Sequence, residues 1–470
     1  MYDKYFLRQC FIASGIIFQA FCGSMSVTLP SVLNPILLSP NTSDIKATSY
    51  EVSWLAACNS ITGLVGYFVL SPMMQKIGRK MTHFSVSVTV AIGLIVLALA
   101  KNMVMLFIAR LIHGLYLGSI FINSIIACEY SDPKRRSYMV AIKKLSVSFG
   151  VLASHTLALC WTWRQISIFS IFPAIIAMII NWYWPESPSY LALKGKIDEC
   201  RHSFYWLHGK SGEKEYELRI LIAAQTETRL KNKLNKSNMV IQLLHLCRDK
   251  AFLKPFFVTT VLLLAVDASG RFYFVIYVTQ IIKEIVGNES SAAYCTIFFD
   301  IITIVAIFAS LFVIHKFKRR TVICCSGFMS GLLMIIISIL IYLKSQFVTL
   351  LYLSWIALSV IMIQNFITCI GLIPISYNII GEIFPLEYKG SGPSFSGISF
   401  MTFYFISLKF TPVIIEEIGL QGMYFMYGLS LLLCIFVLYY ILPETKDKTL
   451  QDIEDEIRGI KRTTVEASKC

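Results

Sequence analysis

Three ionisable side chains interrupt long apolar runs of this sequence: Lys144, Asp267 and Arg271. Asp267 and Arg271 are spaced i, i+4 with the acid N-terminal, where opposite charges neutralise one another along one helix face. Asp300 stands in the next run and, with Asp267, is placed to carry a proton. Other acids and bases recur at the ends of runs, as in Glu129 with Arg136, Glu382 with Lys389, and the clusters holding Arg79 and Arg319. Enzyme chemistry has no such foothold. The 13 Cys are scattered without CxxC pairs or histidines at zinc spacing. Gly209-Lys210-Ser211 lacks the upstream glycine of a phosphate-binding loop. We expect no catalytic residue, no metal and no cofactor; the charges suit recognition of a small molecule and electrostatic switching.

The elements that hold these residues follow from composition. Apolar types make up 56% of the chain, charged types only 15%, where a soluble domain carries roughly a quarter. Mean hydropathy is +0.66. The apolar runs are each about twenty residues, enough to cross roughly 30 Å of hydrocarbon as helix. They fall near 10–34, 51–73, 82–101, 104–128, 138–160, 164–184, 252–282, 291–314, 321–343, 348–379, 391–415 and 422–442. This predicts an all-α membrane protein with twelve transmembrane helices, its main partner being the lipid bilayer. The expected division is a six-helix bundle at 1–184, a helical linker at 185–250, a second bundle at 251–442 and a tail at 443–470. After Met1–Gln9 the first apolar run reaches about residue 38, too long for a cleaved signal.

The net charge of +14 gathers in short loops, as the positive-inside rule requires, and no aromatic and basic residues interleave on a soluble module. Nucleic acid is therefore excluded as a partner. Lys76–Lys80, Lys134–Arg136, Lys316–Arg320 and Lys389 all fall on one side of a twelve-helix chain, placing both termini and the linker in the cytoplasm. Sequons at Asn41 and Asn288 then lie outside, as glycosylation needs, and a third at Asn235 lies inside. Oligomeric state is not legible.

The two halves repeat one another. A basic cluster follows the second helix of each, and an acid with a trailing base follows the fourth, Glu129…Arg136 and Glu382…Lys389. A P-E-[ST] turn follows the sixth, Pro185-Glu186-Ser187 and Pro443-Glu444-Thr445. Such repeats are the construction of carriers that rock two bundles about a midplane site.

With these marks the chain resembles the sugar porters of the major facilitator superfamily, and within them the insect facilitated trehalose transporters. Arg110-x3-Gly114-x3-Gly118 matches the helix-4 signature, and Pro185-Glu186-Ser187-Pro188 with Tyr190-Leu191 matches the turn after helix 6. Gly371-x2-Pro374 with Gly381-Glu382-Ile383-Phe384-Pro385 matches the helix-10 block, and Pro443-Glu444-Thr445-Lys446 with Lys448-Thr449-Leu450 the terminal motif. The resemblance implies two pseudo-symmetric bundles and alternating access. It also implies a cytoplasmic gate of Arg79, Glu129, Arg136, Arg319, Glu382 and Lys389; a solvated face obeying the positive-inside rule is the other reading. Exposed pairs are worth about 0–1 kcal/mol each, yet a network of them biases two states a few kcal/mol apart. The family loop D-R-x-G-R-[RK] reads Gln75-Lys76-Ile77-Gly78-Arg79-Lys80 and His315-Lys316-Phe317-Lys318-Arg319-Arg320, its acid missing twice and the second glycine gone. A weaker inner gate, resting inward-facing, is the expectation.

The family grips sugar hydroxyls with amides and an aromatic lid, and here those positions are largely rewritten. By resemblance the solute-contacting set is Lys144, Asp267, Ser269, Phe272, Tyr273, Tyr277, Thr303, Tyr377 and Phe400; Lys409 is shared with insect relatives. Embedded charges are costly and mark function. Lys144 and Asp267 pairing across the cavity, Asp267 pairing with Arg271, and direct contact with a charged solute all stay open. Proton-coupled sugar porters carry an aspartate in helix 1; residues 10–38 contain no carboxylate, which favours facilitated diffusion. The leading expectation is a plasma-membrane uniporter of trehalose or a hexose. The alternatives are a carrier of a polyol or small organic ion, and a transporter-like receptor that binds solute without moving it.

Overall fold

Local signals set the helix ends. The Thr48 hydroxyl accepts from the Glu51 amide at 3.3 Å while the Glu51 carboxylate accepts from the Thr48 amide at 2.8 Å, a reciprocal cap that starts the second helix. Thr162 and Gln165 start a later helix in the same way. The computed structural model describes residues 4–39, 45–132, 136–234, 249–346, 352–384 and 392–446. Asn41, Asn235, Lys389 and Lys448-Thr449-Leu450 lie outside them, as do the side chains of Arg136 and Glu382.

In chain order the helices are α1 (Lys4–Leu38), α2 (Ser49–Ile77), α3 (Arg79–Ala98), α4 (Met103–Gly118), α5 (Ile120–Glu129), α6 (Arg136–Leu157) and α7 (Trp163–Tyr183). Three further helices follow, α8 (Pro188–Lys194), α9 (Ile197–His208) and α10 (Gly212–Leu234). The remainder are α11 (Lys250–Ala268), α12 (Arg271–Val286), α13 (Glu289–Lys316), α14 (Arg319–Gln346), α15 (Tyr352–Ile370), α16 (Leu372–Glu382) and α17 (Gly392–Ile441). Among the described residues there is no strand, and 10 helical stretches are long and apolar enough to span a membrane. The lysine-bearing α6 is less apolar but, at 22 residues, long enough to be an eleventh. A twelfth comes from α17, which contains two helices meeting at Gly419 with φ 75°. The all-α, twelve-helix expectation holds.

Three spans are broken rather than continuous. Gly270, at φ 87°, separates α11 from α12, where the Ser-Gly pair predicts a break. The runs at 104–128 and 348–379 read as single helices but are interrupted at Ser119 and Gly371. Pro374 supplies the reason for the second: it has no N–H for the preceding turn and is tolerated only in the first turn of the restarted helix.

Packing divides the chain into two units. The first holds residues 1–236, 272–305 and 404–419. In it α1 packs on α6 and α7, α3 on α4 and α7, and α2 on α4. The α2–α4 seam depends on small residues: a Cβ at Gly118 would fall 2.7 Å from the Gly66 backbone. The helices of the polar stretch form a small core of Tyr190, Leu191, Cys200, Phe204 and Leu218, helical as expected as far as Leu234. Burial pushes the Cys200 thiol up to about 11, so it is inert packing. The second unit holds residues 237–271, 306–403 and 420–470, with α14 packed on α15 and α11 on α16.

Candidate functional site

The expected gate residues Arg79 and Glu129 meet. Arg79 opens α3 and Glu129 closes α5, and two parallel bonds of 2.8 Å join guanidinium and carboxylate. Their side chains are only 10% and 16% exposed, so this is a charge-assisted, nearly dry pair. Ser187 donates to the same carboxylate at 2.5 Å. Glu186, to which the sequence reading gave no role, accepts from the backbone amides of Arg79 and Lys80 at 2.9 and 3.2 Å and so caps α3. Burial raises the Glu186 carboxyl above its ordinary value, against the amides of Ser187, Lys80 and Arg79 that lower it.

The second unit repeats the construction. Glu444 accepts from the amides of Arg319 and Arg320 at 3.1 and 3.2 Å, and Arg319 reaches the Thr445 hydroxyl at 3.3 Å. Both P-E-[ST] turns are thus helix caps.

The expected solute-contacting residues are distributed over both units. In the first, Lys144 is partly buried on α6. Its neighbour Lys143 is buried and donates to Ile120 O at 2.7 Å and Ser124 Oγ at 2.8 Å. Phe272 packs edge-on to Tyr404 at 5.3 Å. Tyr273 and Tyr277 are buried, and the Tyr277 hydroxyl donates to Leu408 O at 2.9 Å. Thr303 spends its hydroxyl on Phe299 O of its own helix. In the second unit Asp267 is buried, and Tyr377 lies within electrostatic range of both Asp267 and Arg271. Tyr377 also meets Phe400 edge-on at 6.4 Å. The Ser269 hydroxyl turns back to Val266 O, while the Ser269 carbonyl accepts from Gln364 at 3.0 Å. Gln364, also bonded to Ser330 at 2.8 Å, supplies an amide that the sequence reading passed over.

Asp300, placed by the sequence to carry a proton, bonds to His155. The His155 Nδ1–Asp300 Oδ2 distance is 2.6 Å, and His155 Nε2 meets Ser31 Oγ at 2.7 Å. Lys409 donates to Ser53 Oγ at 2.7 Å and lies 4.0 Å from the Tyr50 ring centre and 4.7 Å from that of Trp54. Arg110 is fully buried and donates to two carbonyls, Leu55 O at 3.2 Å and Ser26 O at 2.9 Å. Asn288 is exposed and caps α13 through the Ser290 amide at 3.0 Å.

Among the described residues no group of His, Cys, Asp or Glu is arranged to hold a metal.

Comparison with known proteins agrees with this architecture. The structure of the proton:xylose symporter XylE bound to 6-bromo-6-deoxy-D-glucose superposes with TM-score 0.75, at 16% identity, covering 96% of this chain and 98% of that one. The inward-open xylose transporter XylE from E. coli gives 0.73 at 15% identity, covering 96% and 99%. These likenesses establish the major facilitator fold. The facilitated trehalose transporter Tret1 of Bombyx mori is 26% identical over 99% of this chain and 90% of its own length. Tret1 of Drosophila virilis is 24% identical over 93% of this chain, which spans about half, 48%, of that relative. The family profile described as "Sugar (and other) transporter" matches residues 13–457, and a match over nearly the whole chain places this protein in the sugar (and other) transporter family.

Proposed function

We propose that this chain carries trehalose or a hexose across the plasma membrane by facilitated diffusion, through alternating access. The buried Arg110 carries the argument on coupling: it donates to backbone carbonyls of α1 and α2, and α1 contains no carboxylate to bind and release a proton against it. The relatives in Bombyx mori and Drosophila virilis are themselves named facilitated trehalose transporters. The solute would be held by Lys144, Asp267, Ser269, Phe272, Tyr273, Tyr277, Thr303, Tyr377 and Phe400, and the inner gate formed by Arg79, Glu129, Arg136, Arg319, Glu382 and Lys389. Both termini lie in the cytoplasm in this reading, with glycans at Asn41 and Asn288.

One observation favours a second reading. Asp267 and Arg271 lie within electrostatic range of the Tyr377 hydroxyl in the second unit, a combination suited to a small organic ion or a polyol. Uptake into proteoliposomes of labelled trehalose, hexoses, polyols and organic ions, with and without a pH gradient, decides between the two. Saturable sugar flux that ignores the gradient is expected. Flux of a charged solute alone, abolished by Asp267→Asn, establishes the second reading; binding without flux makes the protein a receptor.

A further inference from the structure

Two polar ties in the first unit join helices from opposite halves of the sequence, outside the gate and solute sets above. In one, Asp300 of α13 holds His155 of α6 at 2.6 Å, and His155 in turn holds Ser31 of α1 at 2.7 Å. In the other, Lys409 of α17 sits on α2, bonded to Ser53 at 2.7 Å and lying over the Tyr50 and Trp54 rings. The fastened groups are dry: Ser31 and Ser53 are 1% exposed, His155 and Asp300 5%, Lys409 8%.

Their positions along the helices agree. Ser31 lies in the last third of α1, Ser53 in the first turns of α2, and His155 two residues before the end of α6. Asp300 belongs to the half of α13 nearer its start, and Lys409 precedes the Gly419 kink by ten residues. With the orientation given by the loop charges, every one of these groups falls in the outer half of its helix. We infer that the two ties are the outer lock of the carrier, holding the C-terminal half's outer segments 272–305 and 404–419 against the N-terminal helices. The inference rests on the alternating-access reading, in which those segments must leave α1, α2 and α6 to admit solute from outside.

The chemistry suits a lock rather than permanent glue. A His–Asp pair is strong while water is excluded, because separating it in a low-dielectric interior strands the carboxylate and one ring nitrogen. A lysine over two rings gains its cation–π attraction chiefly when desolvated. Once water enters the outer mouth it solvates the carboxylate, the imidazole and the ammonium at once, and the separated state no longer carries stranded charges. Both ties therefore weaken together as the mouth opens.

The test uses the full chain with its native cysteines replaced and one reporter, Thr296→Cys. Thr296 is 1% exposed, one turn outward of Asp300 on the same face of α13, and its hydroxyl donates to Ala292 of its own helix. An impermeant maleimide is added from outside, without solute, and the initial labelling rate is read. The reporter alone is expected to label slowly. Labelling should accelerate at least about tenfold, equivalent to about 1.4 kcal/mol of population shift, in His155→Leu/Asp300→Leu and, separately, in Lys409→Met. The paired leucines leave no unpaired buried charge, and the methionine keeps the stem that packs on the rings. If the leucine pair does not fold, Lys409→Met and Trp54→Ala decide the matter by the same rate. Rates unchanged in both variants overturn the lock, and acceleration in only one overturns its two-tie form. Unchanged labelling alongside intact solute flux rejects the lock and keeps the carrier; faster labelling without flux in any variant or parent does the reverse.

Discussion

The inner ends of the two sequence halves make the same turn with different parts. In the first half Gly78, at φ 101°, brings the chain into α3, and a Cβ there would lie 2.7 Å from the Glu186 carboxylate carbon. In the second half the corresponding residue is Lys318, and the glycine is gone. The cap survives its loss: Glu186 takes the amides of Arg79 and Lys80, and Glu444 takes those of Arg319 and Arg320. The side-chain layer differs. Ser187 donates its hydroxyl to Glu129, which holds Arg79 through two short bonds, whereas the Thr445 hydroxyl accepts directly from Arg319. The common element is therefore a carboxylate on a helix N-terminus, where four amides lack partners and the dipole favours negative charge. The bidentate clamp of the first half is a second layer laid on that cap.

The clamp gives the largest expected effect. Glu129→Ala leaves Arg79 nearly buried and uncompensated, which costs about 3–5 kcal/mol. Thermal unfolding in detergent should show a large drop, and Arg79→Met/Glu129→Leu should recover most of it, because apolar replacement of a buried pair is often neutral. A drop below about 1 kcal/mol for the single variant would mean the pair behaves as an exposed one.

Much of this was legible from sequence, for physical reasons. Runs of about twenty apolar residues have few alternatives to a membrane helix, and the loop lysines and arginines marked the repeat. Arg79 and Glu129 stood out at helix ends as gate residues, but their contact with each other within the first half was not anticipated. The caps were visible as motifs but not as a contact, since Glu186 and Glu444 lie 107 and 125 residues from their partners. His155–Asp300 was illegible for the same reason: a lone histidine in an apolar run carries no sign of a partner 145 residues away. The breaks at Ser119 and Gly371 were missed because hydropathy continues across them unaltered.

The next effect, smaller, addresses the shared element. Glu186→Ala and Glu444→Ala should each cost about 1–2 kcal/mol, the ordinary cost of losing an N-cap, measured by the same unfolding. Comparable losses confirm a common cap; a loss confined to Glu186 would reduce the second turn to coincidence.

Glu186 adds a pH dependence whose sign is fixed. Burial raises its carboxyl in the folded chain, so the folded state binds that proton more tightly than the unfolded one. Folding therefore gains stability from this group as pH falls through the raised value, and the gain disappears as pH rises above it. Glu186→Gln carries no such proton. The unfolding midpoint of the parent, relative to Glu186→Gln, should improve as pH is lowered from neutral toward the ordinary carboxylate range, and the opposite slope would refute the assignment.

The smallest effect tests the neutral end of the comparison. Thr445→Val removes one hydrogen bond to Arg319 and keeps the shape of the side chain, so the expected loss is about 0.5–1.5 kcal/mol. At 3.3 Å the bond is long for a charged donor, which puts the loss at the low end of that range. Arg319 sits in a partly exposed turn, so water can take the place of the hydroxyl. The same water cannot replace Glu129 beside the nearly buried Arg79. If Thr445→Val unfolds as readily as Glu129→Ala, the hydroxyl is as essential as the carboxylate and the two inner turns differ in name only. If it is mild, the hydroxyl only supplements the Glu444 cap at the start of α14.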